Sequence, residues 1–450
     1  MTETAPVVRF APSPTGYLHV GNLRTAIINA LFAEKTGGRF LLRLDDTDLA
    51  RSREEYVEGI RRDLAWLGIR VDGETRQSAR TDAYEAAFER LKAAGRVYPC
   101  YETSEELEMR RKIQLSRGLP PVYDRAALKL TEADRARLEA EGRRPHWRFK
   151  LETGARIAFN DLVQGPVSID PASLSDPVVR REDGSWLYML PSVIDDVDLG
   201  ITHVVRGQDH LTNSGVQIQM FEALGADVPA FAHLALLSTR SGELSKRLGS
   251  AGVEHYKALG VEPLALIAYL ARIGTSLPIE PVTDRQALVE TFDWSTFNKA
   301  NALFDEADLV ALNTKILHHL EYDSVRDRLP AGMTAQDWAL LRGNIDRLDD
   351  VAAVWQLITG PVEPVIEEAD AEFIEAARAF LDALPWAEDI WKRWTDVLKE
   401  RTGRKGKALF LPLRLALTGQ PHGPEMGPLL ARIGREAALE RLGAPSHQKK

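Results

Sequence analysis

Val7-Val8-Arg9-Phe10-Ala11-Pro12-Ser13-Pro14-Thr15-Gly16-Tyr17-Leu18-His19-Val20-Gly21-Asn22 is the stretch on which the fold turns. Its first five residues are apolar and partly β-branched, the mark of a short strand, and two prolines then stop it. Beyond Asn22 the apolar residues fall at Leu23, Ala26, Ile27, Ala30 and Leu31, the spacing of one helix face. Gly37-Gly38 supplies a C-terminal cap, Phe40 to Leu44 reads as a second buried strand, and Asp45-Asp46-Thr47-Asp48 closes it. Strand, loop, helix and strand in this order make a βαβ unit. The loop after its first strand lies at the carboxyl edge of a parallel sheet, beside a helix N-terminus whose free N–H groups attract phosphate. Gly16 and Gly21 leave room for a ligand against bare backbone. Neither GxGxxG nor GxxxxGK[ST] follows the strand, so the dinucleotide fingerprint and the P-loop lack support. At this level plain linkage and nucleotide binding both stand.

The 450 residues suit about three domains. A hydrophobic content of 44% and a charged content of 27% are those of a globular soluble chain. No charged-then-apolar leader opens at Met1, and no apolar run approaches membrane-spanning length. The single cysteine, Cys100, excludes an internal disulfide and fits a reducing compartment, so the expected location is cytoplasmic. The net charge of −9 argues at first against a nucleic-acid partner. From residue 401 onward, however, ten basic residues face three acidic ones. Arg401, Arg404, Lys405, Lys407 and Arg414 share a stretch without acids, and Arg143, Arg144, Arg148 and Lys150 surround Trp147. Such groups supply phosphate contacts and stacking planes for RNA, or are simply solvated faces.

Breaks in pattern divide the rest. Glu54 to Leu67 reads as a helix ending at Gly68, and Glu105 to Arg117 as another before Pro120-Pro121 interrupts. Strand-like segments follow near Trp147 to Leu151 and Ala158 to Leu162, and the sheet is expected to resume at Val193 and at His203-Val204-Val205. From Pro263 the pattern is helical to the end. Six of the nine tryptophans lie from Trp294 onward, as core rather than base-stacking platforms. There is no internal repeat.

Ala11 to Asn22 resembles the extended HIGH signature of class I glutamyl-tRNA synthetases of bacterial type, and Leu244-Ser245-Lys246-Arg247 resembles their KMSKS signature. The resemblance runs on through Arg43-Leu44-Asp45-Asp46-Thr47-Asp48, Tyr98-Pro99-Cys100-Tyr101, Val193-Ile194-Asp195-Asp196, Val204-Val205-Arg206-Gly207, Phe304-Asp305 and Leu312-Asn313. It covers residues 7 to 315 in order and the C-terminal third loosely. It implies an α/β fold: a Rossmann-like nucleotide-binding catalytic domain (1–85 and 186–255) with an inserted tRNA acceptor-binding domain (86–185). A helical stem-contact domain (256–315) and an all-helical anticodon-binding region (316–450) would follow. Glutaminyl relatives carry β-barrels in place of that last region, and relatives that glutamylate a queuosine base lack it.

The resemblance implies a ligase that activates L-glutamate with ATP and passes it to the terminal adenosine of the glutamate tRNA. The substrate carboxylate is already a nucleophile, so catalysis is mostly positioning and charge stabilisation. His19, Ser245, Lys246 and Arg247 would be catalytic. ATP, with Mg²⁺ held mainly by its phosphates and water, would meet Pro12, Ser13, Thr15, Gly16, His19, Gly21, Asn22 and Lys246. Arg9, Ala11, Ser13, Asp45, Tyr188 and Arg206 would hold glutamate, Arg9 reading its side-chain carboxylate and Asp45 its ammonium group. Arg9 as an edge-strand ion pair and Asp45 as a helix cap are the bland alternatives. Activation in this family waits for tRNA.

Four departures stand out. Asp45 replaces the usual Glu, Glu243 replaces the first lysine of the KMSKS signature, and Gln208-Asp209 stands where two acids are common. Cys100 matches one ligand of a zinc site found in some relatives, but Tyr101 and Glu102 follow it, so no structural zinc is expected. The family separates glutamate from glutamine anticodons partly through an arginine. Asn344, between Arg342 and Arg347, falls near that place, which leaves the glutamine tRNA open as a second substrate. A monomer without membrane attachment is expected. The alternative from another class is a non-catalytic nucleotide- or RNA-binding paralogue, against which the retention of both His19 and Lys246 speaks.

Overall fold

The computed structural model describes residues 5–239, 242–243 and 252–445. Val7–Phe10 forms β1, Val20–Thr36 forms α1 and Arg39–Leu44 forms β2. The two strands are parallel, Val8 opposite Phe40 and Phe10 opposite Leu42, so the opening is the βαβ unit its apolar spacing predicts. Helix α1 stops where Gly37 takes φ 63°, a left-handed turn that frees the chain to reverse. There follow α2 (Glu54–Trp66), β3 (Gly73–Arg76), α3 (Thr81–Ala93) and β4 (Val97–Cys100). Next come α4 (Ser104–Ser116), α5 (Glu132–Ala140), β5 (His146–Phe149), β6 (Ile157–Asp161), β7 (Gly165–Ile169) and β8 (Val178–Arg180). Then α6 (Met189–Asp198), β9 (His203–Gly207), α7 (Leu211–Ala223) and β10 (Ala230–Leu234) complete the part that bears on the site.

The main sheet has the order β3-β2-β1-β9-β10-β6-β7. From β1 the chain moves one way to β2 and β3, and later returns on the other side of β1 as β9 and β10. All of these pairings are parallel. The strand order therefore reverses between β1 and β9, and an open parallel sheet has its ligand crevice at the carboxyl ends of the strands at such a reversal.

Two expectations change. The stretch 86–185, read as a separate insertion, gives only β4, β5 and β8 to a small sheet of its own. Its β6 pairs in parallel with β10, Asp161 opposite Phe231, and β7 extends that edge as a hairpin partner. Val193 does not resume the sheet. Leu190, Val193 and Ile194 pack into the core from one face of α6, so the period here is helical rather than alternating.

The chain falls into two compact units, residues 1–259 with 263–306, and residues 260–262 with 307–450. Every regular element of the second unit is helical among the described residues. Trp338 and Trp394 are fully buried there, and each indole N–H donates to a backbone carbonyl at 2.8 Å, of Leu320 and Ala377. They are core, as the sequence suggests.

Candidate active site at the sheet reversal

Arg9 at the end of β1, Arg43 at the end of β2 and Arg206 at the end of β9 converge on the reversal. All three bring a permanent charge into a partly dry place, which requires partners. Arg9 donates to Asp196 through Nε at 3.0 Å and Nη2 at 3.4 Å, and its side chain is only 5% exposed. Arg43 donates to the same carboxylate at 2.7 Å and grips Asp45 with Nε and Nη2 at 2.7 and 3.1 Å. Burial works against the charge on Arg43, but Asp45 and Asp196 outweigh it and hold the guanidinium above its ordinary range. Burial also raises the Asp45 carboxyl, against the pull of Arg43. Asp195, fully buried on α6, accepts from Arg80 at 2.6 Å, Gln77 at 2.9 Å and the Tyr84 hydroxyl at 2.9 Å and lies 3.8 Å from Arg43 Nε, while Arg80 also pairs with Asp198.

Arg206 is different. Its Nη2 donates to Ser214 Oγ at 2.5 Å and Gln217 Oε1 at 2.6 Å, both neutral, and its buried Nε finds no partner among the described residues. Burial, with Arg9 close by, pushes this guanidinium down to about 10. Arg9, Arg43, Tyr188 and Asp196 all lie within its electrostatic reach. Asp196 and Asp45 thus answer Arg9 and Arg43, and Arg206 alone of the three has no carboxylate partner among the described residues. Tyr188, at the start of α6, accepts a hydrogen bond from Asn213.

Beside this charge cluster sits the N-terminus of α1. His19 is its cap: Nδ1 accepts from the backbone N–H of Gly21 at 3.1 Å, and Asn22 Oδ1 accepts from the N–H of His19 at 3.2 Å. Burial lowers the affinity of the imidazole for a proton, so the neutral ring carries its hydrogen on Nε2. A Cβ at Gly21 would lie 3.0 Å from His19 Cε1, which is why glycine stands there. The first turn has no acidic side chain, leaving the helix dipole open to an anion. Pro12 accepts from the N–H of Asp45 at 3.0 Å, which ties the loop to the end of β2. Ser13 and Thr15 are exposed and Ala11 and Gly16 half-buried. Ser245, Lys246 and Arg247 lie outside the described residues.

Of the expected positions, Arg9, Asp45, Tyr188 and Arg206 lie in or beside the charge cluster and His19, Gly21 and Asn22 at the start of α1, while the KMSKS segment lies outside the described residues. Of the bland alternatives, Arg9 does make an ion pair, with Asp196, though from a central strand rather than an edge, and Asp45 caps no helix but is bound to Arg43. Arg43, Asp196, Asn213, Ser214 and Gln217 were not singled out as site residues. Arg43 and Asp196 stood inside quoted motifs, and Ser214 and Gln217 sit three apart on the buried face of α7, where polar residues ask for an explanation.

The basic group around Trp147 is mostly structural. Arg148 is buried, donates to the Asp176 carbonyl at 2.6 Å and stacks on Tyr123, while Arg143 is paired with Glu106. In the second unit Arg404 pairs with Asp370 and covers Phe373, but Arg401, Lys405 and Lys407 are exposed without an ion pair among the described residues. Donor atoms of Cys100, Glu102 and His146 lie within 4.8 Å of one another, a wider set than the lone thiol implied. Burial pushes the Cys100 thiol up to about 12, and the Tyr123 hydroxyl donates to Glu102 at 2.8 Å and lies 3.7 Å from the sulfur.

Known proteins resemble this chain. Residues 6–311 fit the family described as tRNA synthetases class I (E and Q), catalytic domain, and residues 315–444 fit the family described as anticodon binding domain. A glutamate–tRNA ligase of Rhizorhabdus wittichii is 59% identical, covering 97% of this chain and 99% of its own. One of Erythrobacter litoralis is 57% identical, covering 98% and 99%. A crystal structure of a glutamate tRNA ligase from Elizabethkingia meningosepticum, in complex with its amino acid, superposes with a TM-score of 0.81 at 27% identity, covering 97% of this chain and 98% of that one.

Proposed function

The chain belongs to the glutamate and glutamine group of class I tRNA synthetases, and from that premise we propose how its residues divide the work. It is a ligase that joins glutamate to tRNA with ATP. Glutamate brings two carboxylates, and Arg206, with no carboxylate partner among the described residues, is left to take one of them. Arg206 takes a substrate carboxylate with the hydrogen-bonding edge that no protein anion occupies. Arg9 reads the side-chain carboxylate while Asp196 fixes the plane of its guanidinium. Arg43 holds Asp45 in place for the ammonium group, and Tyr188 closes the pocket with Ala11 and Ser13.

The substrate carboxylate oxygen attacks the α-phosphorus of ATP, and the bond to pyrophosphate breaks with its electrons leaving on pyrophosphate. Positive ends do the stabilising: the N–H groups at the start of α1, the Nε2–H of His19 and the charge of Lys246. Pro12, Thr15, Gly16, Gly21 and Asn22 bring backbone up to the nucleotide, and Ser245 and Arg247 support Lys246. Mg²⁺ accompanies ATP as part of the substrate. The terminal adenosine hydroxyl of tRNA then attacks the acyl carbon and AMP departs. Zinc has no part in this reading, because a thiolate-rich tetrahedral site needs more thiols than the one that Cys100 supplies. Metal analysis of the purified protein is expected to show no stoichiometric zinc.

A second tRNA substrate turns on the anticodon-binding unit. Arg342 donates to the Leu320 carbonyl at 2.6 Å and Arg347 pairs with Asp350, whereas Asn344 between them is exposed. Each arginine has a partner within the chain, and the glutamine tRNA stays open as a second substrate; charging each purified tRNA decides it. The enzyme works as a monomer in the cytoplasm. The observation that carries the proposal is the unanswered charge of Arg206 among two paired arginines. Pyrophosphate exchange with each amino acid, with and without tRNA, tests it: exchange with glutamate alone, and only with tRNA present, is expected. Strong exchange with another amino acid overturns it.

A further inference from the structure

Ser214 Oγ, which accepts from Arg206, also lies 2.8 Å from His233 Nε2, and His233 Nδ1 lies 2.6 Å from Asp161 Oδ2. His233, Ser214 and Asp161 are all essentially inaccessible to solvent. The other oxygen of Asp161 is spoken for as well: Oδ1 accepts from the backbone N–H groups of Val163, Gln164 and His233 at 2.9, 2.7 and 3.2 Å.

These contacts have one consistent direction. A carboxylate only accepts, so Nδ1 of His233 must carry the hydrogen. The neutral ring then presents Nε2 as an acceptor, and the Ser214 hydroxyl must point its hydrogen there. That leaves the lone pairs of Oγ for the N–H of Arg206. The other acceptor near the hydroxyl, the His210 carbonyl at 3.4 Å, is too long to compete. Each member therefore has a single orientation, and the last of them is the guanidinium.

A buried serine, histidine and aspartate in sequence also make the constellation of a hydrolytic triad. Here no substrate can reach Oγ, which is fully buried, and its lone pairs already receive a guanidinium hydrogen. The arrangement suits orientation rather than nucleophilic attack.

We infer that Asp161, His233 and Ser214 form a positioning relay that fixes the guanidinium of Arg206 toward the substrate carboxylate. Every contact it offers Arg206 is neutral, so the arginine is aimed without losing the charge the substrate needs. The relay also starts on β6, in the stretch between the two halves of the nucleotide-binding pattern, so that segment reaches the amino-acid pocket through three hydrogen bonds. This inference rests on the reading that Arg206 binds glutamate.

Steady-state aminoacylation by the full-length enzyme tests it. Ser214→Ala removes one hydroxyl and is expected to raise the KM for glutamate about tenfold or more, with kcat and the KM values for ATP and tRNA nearly unchanged. Asp161→Asn frees the ring tautomer and is expected to give the same signature. The double variant should be no worse than either single one, because both act through one chain. Where Asp161→Asn fails to fold, Ser214→Ala decides alone. An unchanged glutamate KM in Ser214→Ala, or equal changes in all three KM values with a lowered thermal midpoint, overturns the relay. Arg206→Ala separates the two levels. If it leaves the glutamate KM unaltered, the pocket reading fails and the relay with it; if it raises that KM while Ser214→Ala does not, only the relay fails.

Discussion

Arg9 and Arg206 sit at the ends of neighbouring strands and look alike in the sequence, yet one is answered by protein and the other is not. Nothing in local pattern distinguishes them, because the answer to Arg9 comes from Asp196, almost two hundred residues away on α6. The motif lent both residues to the pocket, and only tertiary contact assigned their charges. The consequence for mutation differs from what an isolated cation would give. In Arg9→Ala, Asp196 keeps Arg43 at 2.7 Å, so the carboxylate is not orphaned and the fold should survive with a loss of about 1–3 kcal/mol. The substrate carboxylate loses a charged partner, and kcat/KM for glutamate should drop about 10²-fold or more. Paired urea denaturation and aminoacylation read the two effects separately. Near-normal activity of the variant would remove Arg9 from the pocket.

Helix α1 was legible almost to its ends, since apolar spacing and a closing glycine agree, although its cap, His19, was seen only in the structure. α6 was not: a short apolar run with two acids reads equally as a buried strand, and packing of one face settled it as a helix. The return of β6 and β7 to the main sheet was equally hidden, because pairing between distant strands leaves no local periodicity. At the N-terminus of α1 the geometry makes a specific demand. Gly21→Ala places a methyl about 3.0 Å from His19 Cε1, so the ring must shift. Adenylate formation, followed by rapid quench with tRNA present, should slow about tenfold or more while the glutamate KM changes little. The KMSKS element makes a parallel demand by its chemistry. With Glu243 in place of a first lysine, Lys246→Ala should lower turnover about 10²–10³-fold, again with little effect on the glutamate KM. A normal rate of adenylate formation in that variant would take the loop out of the mechanism.

For the whole molecule, charge and function meet in how protons are held. His19, His146, His203, His210 and His233 are all kept neutral chiefly by burial, His146 down to about 4. The unfolded chain protonates these rings near 6.5, whereas the folded one resists, so the unfolded state binds more protons below that value. Stability should therefore fall as pH drops through 6.5 toward 4. Asp63, pushed up to about 6 by burial, and Asp45, also raised by burial, pull the other way, but they are two groups against five. A net loss of roughly 1–3 kcal/mol between pH 7.5 and 5 is expected in urea unfolding; an unchanged or rising midpoint would contradict it. The order of motifs in the sequence was enough to see the enzyme as a whole, while the balance of charge in its pocket had to be read from the structure. That balance is the central claim, and glutamine tests it most directly, being nearly the same shape as glutamate without the extra negative charge. In tRNA-dependent pyrophosphate exchange, kcat/KM for glutamate should exceed that for glutamine by about 10³-fold or more, because Arg9 then meets a neutral amide in place of a carboxylate and loses its charge-assisted hydrogen bonds. Activation of glutamine within tenfold of glutamate would contradict the account.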